Sequence, residues 1–287
     1  MKHIFFILSL CLLFMCSCVK QTPAEVKVMT LNVRIDAPSD SMNNWQYRKD
    51  SISAFIHKND FDILGLQEVY HNQMEDLHAR LPEYASVGVG RVDGKEQGEY
   101  SPVFYKKDKY TLLDSNTFWI SEFPDSVGTR SWDSAFARIA TWAKLKDNKS
   151  GKVLLVLNTH LDHVGVEARH KGAQLIIERL KNIASPGDAV IATGDFNFAE
   201  QEKAAYEAMT TNEFVMKDSH KIAEKSSGAG FTFHDFGRLP DERRKKIDYV
   251  FVSPGIKVVS SNIFFDEIAE GRYLSDHNPI LVDMILN

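Results

Sequence analysis

The sequence predicts an α/β fold whose strand ends carry the chemistry. Three observations point to it. One pattern, a helix, a buried strand, an acid and a second helix, occurs twice, with its acids at Glu68 and Asp195. The middle of the chain and its last third have strand composition, with β-branched and aromatic residues in short runs. The run Asp188-Ala189-Val190-Ile191-Ala192-Thr193, bounded by Pro186-Gly187 and Gly194, reads as an interior strand. Open α/β sheets bind ligands at the C-terminal ends of their strands, and polar residues collect at those ends here.

The N-terminus stands apart from the fold. Lys2 precedes an apolar run from Ile4 to Met15, followed by Cys16-Ser17-Cys18 and polar Lys20-Gln21-Thr22-Pro23. The run is too short to span a bilayer and fits a secretory signal. Cys18 resembles the lipid-bearing cysteine of a bacterial lipoprotein, although Met15 and Cys16 depart from the usual residues before the cleavage point. The expectation is a signal peptide over 1–17, a tether over 18–25 with lipid on Cys18, and one catalytic domain over 26–287. The destination is then export, as a periplasmic or cell-surface lipoprotein. All three cysteines, Cys11, Cys16 and Cys18, lie in or next to this leader. Disulfides, thiol catalysis and Cys-zinc sites are thereby excluded from the rest.

The 287 residues are 44% hydrophobic and 25% charged, as in a soluble globular chain, and carry a net charge of −5. Losing the leader removes Lys2 and no acid, which leaves −6. No basic excess is present to hold a nucleic-acid backbone.

The elements follow in order. Val26 to Asn32 reads as a strand, and Asp36 to Asn44 as a polar loop. Tyr47 to Lys58 is a helix with Ile52, Phe55 and Ile56 on one face. Asp62 to Gln67 is a strand with Glu68 at its end, and a helix follows over His71–Leu81. Strands are expected at Ser101–Lys106, Thr117–Ile120, Arg138–Lys146 and Lys152–Thr159, with a surface loop over Glu122–Ser134. Glu167–Ala184 is a helix, because Ala173, Ile176, Ile177 and Leu180 recur at helical spacing. The strand before Asp195 comes next, then a helix over Gln201–Met209. Strands at Lys246–Ser253, Ile256–Phe265 and Asn278–Leu286 close the chain.

Polar groups stand at the strand ends: Asn32, Glu68, Asn158, His160, Asp195, Asn197, Asp248, Asp276 and His277. Asp195 and Asn197, two apart on an extended chain, point to one side, and Phe196 points away. Taken alone, Gly194-Asp195-Phe196-Asn197 reads more readily as a turn after a strand than as a site. Asp248 interrupts the strand core Ile247-Asp248-Tyr249-Val250-Phe251, where an unpaired carboxylate is costly, so it wants a partner such as a histidine.

Six motifs occur in order: Leu31-Asn32-Val33, Gln67-Glu68-Val69, Asn158-Thr159-His160-Leu161, Gly194-Asp195-Phe196-Asn197, Ile247-Asp248-Tyr249-Val250 and Ser275-Asp276-His277-Asn278-Pro279. Together they resemble the endonuclease/exonuclease/phosphatase superfamily of metal-dependent phosphoesterases, over about Val26 to Asn287. The resemblance implies a four-layer α-β-β-α sandwich of two packed mixed sheets with helices outside. It implies Glu68 as the principal metal ligand, Asn32 as the amide beside it, and Asp276 acting through water. An all-oxygen set suits Mg²⁺; Mn²⁺ is the second choice. It implies Asp195 as the acid that orients or deprotonates water, Asn197 and His160 as holders of phosphoryl oxygens, and Asp248 with His277 as a dyad. Which of Asp195 and the dyad is the base is not decided by sequence. Phosphoryl transfer asks for such a set, since it is mostly positioning and charge neutralisation.

A bacterial branch of the superfamily is resembled more narrowly through Arg34, Asn44-Trp45, Arg48, Ser131-Trp132, Ala137-Arg138-Ile139-Ala140, Asp162-His163-Val164-Gly165 and Ala168-Arg169. Arg138 would reach a phosphate or form an edge salt bridge. Trp45 and Trp132, in or beside loops, are expected to narrow the mouth of a substrate pocket. The run Arg243-Arg244-Lys245-Lys246 reads as a solvated face. The expected function is an exported Mg²⁺-dependent hydrolase of a small or lipid-linked phosphomonoester or phosphodiester, membrane-bound through its N-terminal lipid and with no protein partner evident. A nuclease is the first rival, and its nucleic-acid substrate is disfavoured by charge. A catalytically silent binding lipoprotein is the second, disfavoured because the polar set is whole.

Overall fold

The computed structural model describes residues 23–286, with Glu213, Val215, Asp266 and Glu270 excepted. The leader and Cys18 lie outside the described residues. In chain order the elements are β1 (Ala24–Asn32), α1 (Trp45–Asn59), β2 (Ile63–Gln67), α2 (His71–Arg80), β3 (Tyr84–Val87), β4 (Val103–Lys106) and β5 (Tyr110–Trp119). Then come β6 (Ile139–Asp147), β7 (Val153–His160), α3 (Val166–Ile183), β8 (Ala189–Asp195), α4 (Lys203–Thr210), β9 (Lys217–Asp218) and α5 (Ser219–Ile222). The chain closes with β10 (Lys225–Gly228), β11 (Asp248–Val252), β12 (Ile256–Ile263), β13 (Glu267–Ala269), β14 (Arg272–Tyr273) and β15 (Ile280–Leu286).

Two mixed sheets result, ordered β10-β12-β15-β1-β2-β4-β3 and β5-β6-β7-β8-β11-β9. In each, a parallel pair is joined through a helix: β1 to β2 through α1, and β7 to β8 through α3. This is the twofold pattern expected from the sequence, with Glu68 just past the end of β2 and Asp195 as the last residue of β8. The sheets meet over a core of alternate residues such as Val26, Val28, Ile63, Leu154, Val156, Ile191, Val250 and Val282. Helices α1 and α2 cover the outer face of the first sheet, where Ile52, Ile56 and Leu77 share a core with Met29, Leu31 and Leu64. Helices α3 and α4 cover the second, where Ile176, Leu180 and Met209 share a core with Leu155, Leu157 and Ala192. The four-layer sandwich is the observed architecture.

The sheets approach each other tightly at Gly65. A β-carbon there would lie 2.1 Å from Thr193 Oγ1 and 2.8 Å from Asn158 Oδ1. Gly65→Ala is therefore expected to destabilise the fold by about 1–3 kcal/mol through overpacking. Thermal denaturation of the variant measures it, and an unchanged melting midpoint would show that the sheets yield at this point.

Some elements escaped the sequence reading. Strand β5 begins at Tyr110, not Thr117, because it is an edge strand whose Thr111–Asp114 are exposed and carry no buried face. Strand β3 and the small β9-α5-β10 excursion were not expected. The loop before α1 contains a 3-10 turn over Pro38–Asn43. Helix α1 begins at Trp45, not Tyr47, because the Asn44 side chain caps it by accepting the Gln46 N–H.

Candidate active site

Alternation along the strands decides which side chains reach the site. On β1, Val26 and Val28 face the inter-sheet core and Met29 and Leu31 face the helices, so Thr30 and Asn32 face inward. The same count puts Gly65 and Gln67 inward on β2, Asn158 and His160 on β7, Thr193 and Asp195 on β8, and Asp248 on β11. Each inward row is apolar at one end and polar at the other, and the polar ends meet. Register sharpens the meeting, because Asp195 pairs with His160 on β7 and with Asp248 on β11.

Beneath the site lies a buried polar clamp between the sheets. The Asn158 side chain accepts Gln67 Nε2–H at 2.7 Å and donates to the carbonyls of Leu66 and Pro102 at 2.7 and 2.9 Å. Arg48, fully buried, is a second clamp. It donates to the carbonyls of Val33 and Leu274 at 2.7 and 2.8 Å, and so fixes the segments that carry Asn32 and Asp276.

One wall of the site is acidic. Asn32 Nδ2 donates to Glu68 Oε1 and to Asp195 Oδ2, both at 3.0 Å. Asn32 Oδ1 accepts the Arg34 N–H at 2.9 Å. Glu68 follows β2 with a φ of 60°, a left-handed conformation that costs a non-glycine residue about 1 kcal/mol or more and turns the carboxylate into the cleft. Its Oε2 accepts the Ile35 N–H at 3.2 Å. The Arg34 guanidinium lies 3.9 Å from both Glu68 Oε2 and Asp276 Oδ2. Burial raises the Asp276 carboxyl above the usual range, and the Glu68 charge adds to the rise while His277 opposes it. Two carboxylates with a cation already drawn between them, all donors oxygen, are a set that fits Mg²⁺.

Asp195 is the hub. Its Oδ1 accepts the Asn197 N–H at 3.0 Å, and its Oδ2 lies 3.5 Å from His160 Nε2 and 3.7 Å from His277 Nε2. Burial and then the Asp248 charge push the Asp195 carboxyl up to about 7, against the pull of His277 and Asn32. The two imidazoles differ. Burial and the neighbouring Arg138 and Arg91 charges hold His160 well below its ordinary value, so it is neutral. Burial pulls His277 down too, but the Asp248 and Asp195 charges and the 2.9 Å bond to Asp248 Oδ2 carry it up to about 10. Asp195, Asp248 and His277 have donor atoms within 4.8 Å of one another and form a second cluster that could hold a metal. The Asp248 bond already occupies His277 Nδ1, so the oxygen wall at Glu68 is the better seat for a hard cation. Asn197, left-handed at φ 53°, hangs its amide on the Leu161 carbonyl at 3.0 Å, and Phe196 is buried in the outer core as expected.

Glu68, His160, Asp195, Asn197, Asp276 and His277 line a cleft of about 980 Å³ together with Arg138, while Asn32 and Asp248 support it from behind. Two expected lining residues are not there. Trp45 is 1% exposed in the core under α1, with its Nε1–H given to Asp76 at 2.9 Å. Its apolar ring is worth more against Ile52 and Leu77 than in a loop. Trp132 packs half-buried against the core under α3, at a left-handed φ of 55°. The aromatics of the cleft are Tyr70, Phe136 and Phe233. Arg138 is 4% exposed, 3.5 Å from Asp162 and donating to His163 Nδ1 at 3.1 Å, so it is both ion-paired and at the cleft. The basic run divides. Lys246 pairs with Asp218 and Arg244 stacks on Phe231, while Arg243 and Lys245 line the cleft rim. Glu99, Arg91 and Phe136 were missed altogether; they sit in irregular segments, where no periodicity marks the inward side.

The sequence pattern of the Endonuclease/Exonuclease/phosphatase family matches residues 29–277. The chain is similar to the solved endonuclease/exonuclease/phosphatase from Bacteroides vulgatus, at 54% identity and a TM-score of 0.88, with 92% of this chain and 100% of that one covered. It is similar to a mannosyl-6-phosphatase from Bacteroides thetaiotaomicron VPI-5482 at 32% identity and a TM-score of 0.83, with 90% and 99% covered. It is 25% identical, over 261 residues, to a probable CCR4-Not complex 3'-5'-exoribonuclease subunit of Vairimorpha ceranae, with 84% and 54% covered. The chain spans between 32% and 54% of the length of the curated relatives it matches.

Proposed function

We propose that this chain, which belongs to the endonuclease/exonuclease/phosphatase family of phosphoric ester hydrolases, is an exported Mg²⁺-dependent phosphatase of small hydroxylated phosphomonoesters, hexose 6-phosphates among them. The observation that carries the reading is Asp195, held between a neutral and a cationic imidazole in a cleft of small-molecule size. The likeness to a mannosyl-6-phosphatase over nearly that whole chain supports the substrate class. The charge of −6 on the chain without its leader supports it against a polyanion.

The residues divide the work. Asp195 Oδ2 holds the attacking water and takes its proton, as a carboxyl raised to about 7 is placed to do. His277, kept protonated by Asp248, offers Nε2–H and a positive charge to a phosphoryl oxygen. His160 and the Asn197 amide offer neutral donors to the same group. Family members generally depend on a divalent metal, and Glu68 and Asp276, with Asn32 beside them, would hold it here. Bound there, Mg²⁺ supplies charge neutralisation at the phosphate and at the departing oxygen.

The test is competitive. Hexose 6-phosphates, alkyl phosphates, phosphodiesters and oligonucleotides are offered at equal phosphate concentration with Mg²⁺ at moderate salt. The expected result is the highest kcat/KM on a phosphomonoester. A higher value on oligonucleotide would replace this reading with a nuclease, for which Arg243 and Lys245 at the rim would be the backbone contacts.

Export through Cys18 belongs to the same proposal, supported by the leader composition. Cys18→Ala is expected to convert a membrane-associated protein into a soluble exported one, read by fractionation. Mass spectrometry of the native protein that finds Cys18 retained without lipid would remove the anchor.

A further inference from the structure

We propose that Glu99, Arg138 and Phe136 form a leaving-group subsite that recognises the hydroxyls and ring of a neutral sugar or similar polyol. The proposal rests on the phosphomonoesterase reading and says what selects the alcohol side of the ester.

Position comes first. Tyr100 exchanges backbone hydrogen bonds with Val69, so Glu99 is pinned beside the end of β2. Arg138 immediately precedes β6, and the Phe136 N–H is held by Asp162 Oδ2 at 3.2 Å. His160 joins this group to the reacting centre. Its Nε2 lies 3.5 Å from Asp195 and its Nδ1 lies 3.7 Å from Glu99 Oε2. A group bound at Glu99 is thus one imidazole ring away from the phosphate site, a reach that suits an alcohol joined to phosphate through a short carbon arm.

Charge comes second. Arg91 grips Glu99 with both ends of its fork, at 2.7 and 2.8 Å, and Arg138 faces Asp162 at 3.5 Å. Two cations and two carboxylates cancel. A second phosphate would find no net attraction here, whereas a neutral polar group would suffer no repulsion.

Unmet hydrogen bonding comes third. Arg138 Nη1 and His160 Nδ1 are buried and find no hydrogen-bond partner among the described residues. Both look at Glu99 Oε2, from 3.9 and 3.7 Å, too far for direct bonds. A hydroxyl both donates and accepts, so one oxygen can accept from Arg138 Nη1 while giving its hydrogen to Glu99. A phosphate oxygen or an alkyl group cannot do both. Beside them Phe136 is 50% exposed, with Arg91 and Arg138 over its ring at 5.3 and 6.0 Å and His163 stacked on it. Its open surface offers an apolar partner to the C–H groups of a sugar ring.

The test compares hexose 6-phosphate with ethyl phosphate in the wild type, Glu99→Gln and Phe136→Ala. The wild type is expected to prefer the sugar ester in kcat/KM by at least about tenfold, and each variant to lower that preference by about tenfold, because a site built for hydroxyls penalises a substrate that lacks them. Phe136 is surface-exposed, so its variant keeps a readable fold. A wild-type preference near unity, or a preference unchanged in both variants, overturns the subsite. Failure of the phosphomonoesterase reading looks different, since neither ester would be turned over. The affinities of the two esters are then compared by calorimetry in chelator. A sugar ester held at least about tenfold more tightly, and no more tightly than ethyl phosphate in Glu99→Gln, sustains the subsite; equal wild-type affinities overturn it.

Discussion

Asp195→Asn is expected to lower kcat by about 10³-fold, within the range that general-base catalysis supplies, while the melting midpoint holds or rises. Asp195 accepts from Asn32 Nδ2 on one oxygen and from the Asn197 N–H on the other. An amide of the same shape turns one of those acceptors into a donor facing a donor. It also removes the negative charge that places water and pairs with His277. Stability moves the other way, because the carboxylate is buried and close to the Asp248 charge that raises it. Removing that charge relieves repulsion inside the fold, which offsets the lost hydrogen bond. Pre-steady-state and steady-state turnover with thermal denaturation would measure both. A variant with wild-type kcat would take Asp195 out of the chemistry.

Glu68→Gln is the second large effect. Turnover at low Mg²⁺ is expected to fall by at least about 10²-fold, since even the outer partners of a metal ligand are worth about 10- to 100-fold and Glu68 is placed to be a ligand itself. Part of it should return at high Mg²⁺, because the glutamine keeps one oxygen and the Asp276 carboxylate remains. The partners explain why the residue is hard to replace. Glu68 Oε1 takes Asn32 Nδ2–H and Oε2 takes the Ile35 N–H, so both oxygens are aimed before any ion arrives. The change in half-saturating Mg²⁺ between wild type and variant reads the effect. Full activity in Glu68→Gln, or activity in the wild type that ignores chelator, would contradict the assignment.

The parts of this molecule that were legible in sequence are those governed by alternation along strands. Asp195 and His160 end inward rows that begin with Ile191 and Leu154, and the apolar members of each row point where the polar ones must. Asp248 betrayed itself by interrupting a strand core, and its partner is His277, as the cost of an isolated buried carboxylate requires. Trp45 lies on the opposite side from the one its sequence context suggests. Loop-edge aromatics were expected at the mouth, yet helix α1 starts two residues earlier than its periodicity suggested, and this puts the indole on the buried face. Glu99 and Phe136 were invisible for the opposite reason. They lie in irregular segments between Val87 and Val103 and between Trp119 and Ile139, where no repeat predicts direction. Arg48 entered the sequence reading only through a family resemblance, and only the fold reveals that its guanidinium holds the backbone carbonyls of Val33 and Leu274.

The central claim is that water, held by Asp195, attacks phosphorus directly and no side chain takes the phosphoryl group. The stereochemical course tests it, with a hexose 6-phosphorothioate made chiral at phosphorus by two oxygen isotopes and hydrolysed in water of the third, so that the released thiophosphate is itself chiral. A single in-line displacement inverts the configuration, and inversion is the predicted result. Retention would require two displacements through a phosphorylated residue, with His160 or His277 as the nucleophile, and would contradict the roles assigned to all three residues.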